Sequence, residues 1–154
     1  MSVHKLQRLI QEILELLDLF ILTFLAGSIL PFPSETFLLY LLKKAYYPVP
    51  VLMVIAVAGN SLGAFLNYYL GRKGAYYLLR KIYRLDDKDI EKNISYFKKY
   101  GGLITFFSFV PVVGDPLTVI AGILKYPFLK FSLFVVTGKT IRFLILTGMF
   151  VKFS

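Results

Sequence analysis

The stretch "ILPFPSETFL", Ile29 to Leu38, interrupts an apolar run that is otherwise long enough for a membrane helix. It places two prolines, a serine and an ionisable glutamate where hydrocarbon penalises a helix break and a carboxylate alike. Proline removes a backbone donor and clashes with the preceding turn, so the block over 19–42 is not expected to run as one straight helix. Broken backbone at membrane depth survives only where protein or a water-filled cavity surrounds it. The stretch is therefore read as a re-entrant pair of half-helices, in which Ser34 caps the second half and Glu35 sits in its first turn.

The rest of the chain supports a membrane setting. Of 154 residues 57% are hydrophobic and 18% charged, an apolar balance far above that of a water-soluble domain of this length. Further apolar blocks follow at 51–70, 103–124 and 128–151, each near the roughly 20 residues needed to cross a bilayer core. The block at 103–124 is broken by "VPVVGDP", with Pro111, Gly114, Asp115 and Pro116, whereas 51–70 and 128–151 read as ordinary spanning helices. Asp115 is expected to cap the second half-helix, with Pro116 at its first position. Residues 5–18 and 87–99 are amphipathic and read as separate interfacial helices. No cysteine is present, His4 reads as a tail residue, and residues 1–18 lack the pattern of a cleavable signal. No metal-ligand cluster, nucleophile motif or cofactor motif occurs, so neither a metal nor a cofactor is expected and an enzyme is disfavoured.

Net charge is +9, and nine Lys/Arg fall within 71–100. A basic cluster flanking membrane segments marks the cytoplasmic side of a cell membrane and an anionic lipid surface. No groove-reading module accompanies it, so nucleic acid is not expected as a partner.

The two halves resemble each other. Pro31 to Glu35 matches Pro111 to Asp115 at offset 80, each a proline followed four positions later by an acid. Tyr47-Pro48 returns as Tyr126-Pro127, and Gly59-Asn60 as Gly138-Lys139, at offset 79. One membrane domain over 1–154 follows, with repeat one at about 1–72, repeat two at about 86–154 and a basic interfacial segment at 71–100. The expected fold is an all-α integral membrane protein of two inverted repeats, each with an interfacial helix, a re-entrant broken helix and a spanning helix. If the broken blocks instead span, each half crosses twice and the repeats run parallel. With re-entrant blocks and a cytoplasmic 71–100 segment, both termini lie outside.

Four charged residues fall deep inside apolar blocks: Glu35, Asp115, Lys139 and Arg142. Their charges sum to zero, and each costs about 2.5–3.5 kcal/mol at the centre of a membrane helix. Lys139 and Arg142 are three apart and share a helix face, so both are expected to point inward toward the loop acids. The half-helix N-termini at the breaks, flanked by Pro33 and Gly114, would aim free N–H groups at the same region. On the 51–70 block, Asn60 and Asn67 share a face, and Gly59 and Gly63 form a small-xxx-small surface for close helix packing. A purely structural pair of ion bridges is the competing reading.

These motifs resemble one family. "PFPSE" is similar to the P-x-P-S/G-E motif of the DedA family, also called SNARE-associated or VTT-domain proteins. "SFVPVVGDPLTVIAGIL" followed by "GKTIRF" resembles its second motif, in particular the YqaA-like branch, and "GNSLGAFLNYYLGRKGA" resembles the segment between them. The likeness covers roughly 20–150. It implies two opposed re-entrant loops and the flipping or scrambling of lipids, polyprenyl phosphates included, with proton coupling in some members. Carried onto this chain, it points to Glu35, Asp115, Lys139 and Arg142. The main branch has arginines where this chain has Ser108 and Gly114, which suggests positive charge relocated to Lys139 and Arg142. The expected function is a flippase- or scramblase-like transporter of an anionic lipid, with protons as coupling ions. Transport of a small ion or solute and a non-transporting assembly role are the alternatives. Homo-oligomerisation is compatible with so short a chain.

Overall fold

The computed structural model describes residues 3–28, 33–82, 87–110 and 114–153. Six α-helices follow in order: α1 (Val3–Gly27), α2 (Ser34–Lys44), α3 (Val49–Ile82), α4 (Asp87–Phe106), α5 (Gly114–Ile123) and α6 (Phe128–Phe153). A 3₁₀ turn, Phe107–Phe109, extends α4. Pro31 and Pro111, the first proline of each break, lie outside the described residues.

Three expected boundaries move. The amphipathic segment 5–18 is not a separate interfacial helix, because α1 runs unbroken through it to Gly27. No proline or glycine stands between Lys5 and Ala26, so polarity changes at Asp18 while the backbone has no reason to stop. α3 likewise continues from the apolar block, through Gly71 and Gly74, into part of the basic segment as far as Ile82. In the second half α4 joins 87–99 to the first arm of the broken block, and it passes through Gly101 and Gly102. Those two glycines lie against the rings of Tyr126 and Phe134, so tertiary packing outweighs their poor helix propensity.

Each break folds its helix back on itself. Lys44, the last residue of α2, donates to Glu15 Oε1 at 2.6 Å, and Tyr47 Oη donates to Glu15 Oε2 at 2.8 Å. α2 therefore returns along α1 from the break at 29–32. In the second half Gly114 meets the backbone of Ser108, while the Phe97 and Tyr126 rings pack edge to face at 5.5 Å. α5 thus returns along α4. Both short helices end alike, at Ala45 and Lys125, non-glycine residues with φ of 51° that stand 80 apart. Each is followed by a tyrosine and, within three residues, a proline.

Helix directions follow from which residues meet. Gly59 lies against Phe20 and Thr23, Gly63 against Phe24 and Ser28, and Asn67 reaches Gly27, so α1 and α3 run the same way. Asn67 meets Thr118 and Gly71 meets Val119, which sets α5 parallel to α3. Tyr68 stacks near Phe131 at 4.6 Å while Asn60 meets Lys139, which sets α6 antiparallel to α3.

The surface is apolar and the interior holds polar groups, the reverse of a protein built for water. Leu9, Ile13, Leu66, Leu129, Leu133 and Leu144 are exposed, while Asn60, Asn67, Thr118 and Lys139 are buried. Two segments, Val49–Gly74 and Phe128–Phe153, are long and apolar enough to cross a membrane. At about 1.5 Å per residue, 26 residues exceed a hydrocarbon core of about 30 Å. Two buried apolar clusters cap the ends. A leucine-rich one joins Leu19, Leu38, Leu41, Leu52, Ala56 and Phe143. An aromatic one gathers Tyr68, Phe97, Tyr126 and Phe131 around Ala64 and Ala121.

Candidate functional site

Between the two clusters lies a belt of polar side chains. On α3 the order is Leu52, Ala56, Asn60, Ala64, Tyr68; on α6 it is Phe131, Val135, Lys139, Phe143. One polar residue thus interrupts each apolar stripe at about four-residue spacing, and the two meet because α3 and α6 are antiparallel. Lys139 is fully enclosed, and its Nζ donates to Asn60 Oδ1. The same ammonium stands 3.9 Å from Asp115 Oδ1. Arg142, one turn along α6, donates to Glu35 Oε1. A single helix therefore engages the acid of each break with a different cation. Lys139 alone is sealed from solvent, whereas its partner Asp115 keeps 27% of its side-chain surface open and Arg142 and Glu35 keep 21% and 35%.

Two asparagines of α3 tie the belt to both hairpins. Asn60 Nδ2 donates to the Thr23 carbonyl at 3.1 Å, so its amide spans α1 and Lys139. Asn67 Nδ2 donates to the Gly27 carbonyl at 3.2 Å and to Thr118 Oγ1 at 3.1 Å. Thr118 in turn donates to the Asp115 carbonyl at 2.6 Å. The end of α1 is thereby joined to Asp115 by two routes: Asn60 and Lys139 lead to its side chain, Asn67 and Thr118 to its backbone. Thr23 and Thr118 carry no signal in the sequence beyond their hydroxyls, and only the fold shows their part. The Asn67 carbonyl oxygen and the Ser108 hydroxyl are buried without a partner among the described residues, an uncommon state for buried polar atoms.

The caps at the breaks differ from expectation. Pro33, with φ −79°, is the N-cap of α2, so Ser34 is the first helical residue rather than the cap. It is buried instead, which places Glu35 at the second helical position. α5 begins at Gly114, whose N–H donates to the Val110 carbonyl at 2.8 Å. Asp115 consequently lies inside the first turn rather than capping it, and Pro116 takes the third position, where an N–H would still lack an intrahelical acceptor. A side chain at Gly114 would collide with the Ser108 carbonyl. This close approach lets the chain turn from the 3₁₀ segment directly into α5.

The seam between α1 and α3 is closed by glycine. A Cβ at Gly27 would strike the Asn60 carbonyl, and one at Gly63 the Phe24 carbonyl. Backbones at such range are typical of small-residue helix contacts in membranes.

Comparison with known proteins agrees with this architecture. The VTT domain family matches residues 20–152. Inner membrane protein YqaA of Escherichia coli is 36% identical over 132 residues, covering 86% of this chain and 88% of that protein. Undecaprenyl phosphate transporter A of Staphylococcus aureus is 28% identical over 134 residues, 80% of this chain and 66% of that protein. Its namesake in Bacillus subtilis is 35% identical over 83 residues, 51% of this chain and 42% of that protein. No solved structure matches. The chain belongs to the VTT-domain, or DedA, family and is a membrane protein.

Proposed function

We infer that this family member carries an anionic, phosphate-bearing lipid headgroup between leaflets. The observation that carries the reading is the pairing of Lys139 with Asp115 and of Arg142 with Glu35 in the belt between the two apolar clusters. An ion pair adds little net stability whether exposed or buried, so two pairs in the polar belt of a short chain are better accounted for as a working site. A phosphate arriving at the belt competes with Glu35 and Asp115 for the cations, and the displaced carboxylates take up protons. Two relatives bear the name undecaprenyl phosphate transporter, which favours a polyprenyl phosphate as the substrate class.

The same reading treats α1–α3 and α4–α6 as inverted repeats whose hairpins enter the membrane from opposite faces. It is supported by the opposed directions of α3 and α6 and by the matching turns at Ala45 and Lys125. Alternating exposure then comes from one repeat moving against the other about a fixed midplane site. Placing the basic 71–100 segment in the cytoplasm puts both termini outside.

Leaflet exchange in liposomes, with undecaprenyl phosphate set against a panel of phospholipids, tests the assignment. Lys139→Met and Glu35→Gln are expected to abolish exchange while the purified protein stays monodisperse. Normal exchange in both variants would sink the mechanism.

A further inference from the structure

A second site lies away from the polar belt, at the open end of the first hairpin. A cavity of about 240 Å³ is lined by Arg8, Glu12 and Glu15 of α1, by Lys44 at the end of α2 and by Tyr46 and Tyr47 after it. Arg8, Gln11, Glu12 and Glu15 follow the spacing i, i+3, i+4, i+7, which gathers them on one face of α1. Within that face Glu12 and Glu15 are half-buried, while Arg8 and Gln11 are exposed at the cavity mouth. The opposite face, with Leu6, Leu9, Ile10 and Ile13, is exposed. The cavity also sits at the edge of the apolar zone, since the span beginning at Val49 starts two residues after Tyr47.

Not all of the charge in the cavity is used internally. Glu15 is fully engaged, with Lys44 on one oxygen and Tyr47 on the other. The Lys44 bond holds the Glu15 carboxyl below the usual range, and Lys44 itself is pushed up to about 12 by that carboxylate. Neither Arg8 nor the Glu12 carboxylate has an ion-pair partner among the described residues. They stand one helical turn apart on the cavity wall, about 5–6 Å between their Cβ atoms. A cation and an anion held one turn apart match a ligand bearing a phosphate and an ammonium on a two-carbon tether.

We propose that this cavity binds the headgroup of a phospholipid carrying a primary ammonium, with Arg8 on the phosphate and Glu12 on the ammonium. The acyl chains of that lipid run from the cavity mouth into the apolar zone that begins at Val49. A primary ammonium donates three hydrogen bonds and so satisfies Glu12. A quaternary ammonium donates none, and the cavity offers it the Tyr46 and Tyr47 rings, without a third to close an aromatic cage. The site rests on membrane placement alone and stands whether or not the belt transports lipid.

Native mass spectrometry of the purified full chain tests it, with phosphatidylethanolamine, phosphatidylcholine and phosphatidylglycerol of identical acyl chains. The wild type should retain the ethanolamine lipid about tenfold over the choline lipid, the worth of one charge-assisted hydrogen bond. Glu12→Gln should erase that preference while binding of the glycerol lipid persists, and Arg8→Ala should weaken all three. Both residues are on the surface, so unchanged thermal melting of each variant keeps the comparison sound, and Arg8→Lys should partly rescue binding where an alanine does not. Equal retention of the three lipids by the wild type, or an unaltered preference in Arg8→Ala/Glu12→Gln, would overturn the site. Competition by soluble glycerophosphoethanolamine at equal concentration would overturn the lipid as its source.

Discussion

α3 and α6 occupy the same place in the two halves of the chain, yet they are built for different work. α3 brings Gly59 and Gly63 against the backbone of α1 and offers neutral amides at Asn60 and Asn67. α6 carries Lys139 and Arg142, and its Gly148 has open space around it. One helix fastens; the other bears charge. Membrane helices gain little from apolar contact with one another, because lipid tails are equally apolar. The fastening helix must therefore rely on close backbone approach and amide bonds, which leaves the charged helix free to exchange partners.

The largest effect should come from attacking the fastening. Gly63→Leu forces the α1 and α3 backbones apart and should cost more than about 3 kcal/mol, seen as loss of monodisperse protein on gel filtration. Gly148→Leu on α6 is the control and should leave the elution profile unchanged. Equal damage from both would erase the distinction between the helices.

Charge comes next. Asn60→Lys sets two ammonium groups against each other at the contact between α3 and α6 and should cost about 3–5 kcal/mol, as for an uncompensated buried charge. Lys139→Met strands Asp115 and should lower the melting temperature. Adding Asp115→Asn to Lys139→Met should restore the melting temperature while leaflet exchange stays absent. A double variant as unstable as the single one would mean that the pair does not account for the loss.

A smaller loss is expected where neutral bonds alone are removed. Asn67→Ala deletes the links to Gly27 and Thr118, about 1–2 kcal/mol in total, and should lower the melting temperature less than Asn60→Lys does. The smallest change is a gain. Ala45→Gly relieves a left-handed backbone at the end of α2 and should stabilise by about 0.5–1 kcal/mol. Lys125→Gly should do the same for α5. Unequal gains would show that the two turns, matched in φ, are not matched in energy.

The breaks and the two spans are legible in the sequence, since proline chemistry and hydropathy act locally. The block over 128–151 differs from α6 by a few residues at most. Continuity of α1 through Asp18, and of α3 past Leu70, is not legible from pattern. Periodicity reports the surroundings of a helix, and those change from headgroup to interior while the helix continues. The shared face of Lys139 and Arg142 follows from their spacing. Which acid each would meet depends on how the two hairpins lie against α6, a tertiary fact. Ser34 and Asp115 are helical instead of capping because Pro33 takes the N-cap of α2 and α5 already begins at Gly114.

The meeting of Asn60 with Lys139 reaches into how such a chain could arise. On the inverted-repeat reading proposed above these residues correspond, 79 apart, and they touch each other. In a dimer of two identical half-length chains, the residue nearest the symmetry axis faces its own copy. A lysine there would face a lysine, so that assembly would be confined to a neutral, self-complementary residue such as asparagine. Joining the halves into one polypeptide removes the constraint, because each side of the axis can mutate alone. A solitary ammonium on the axis is thus open to the fused chain and closed to its half-sized counterpart.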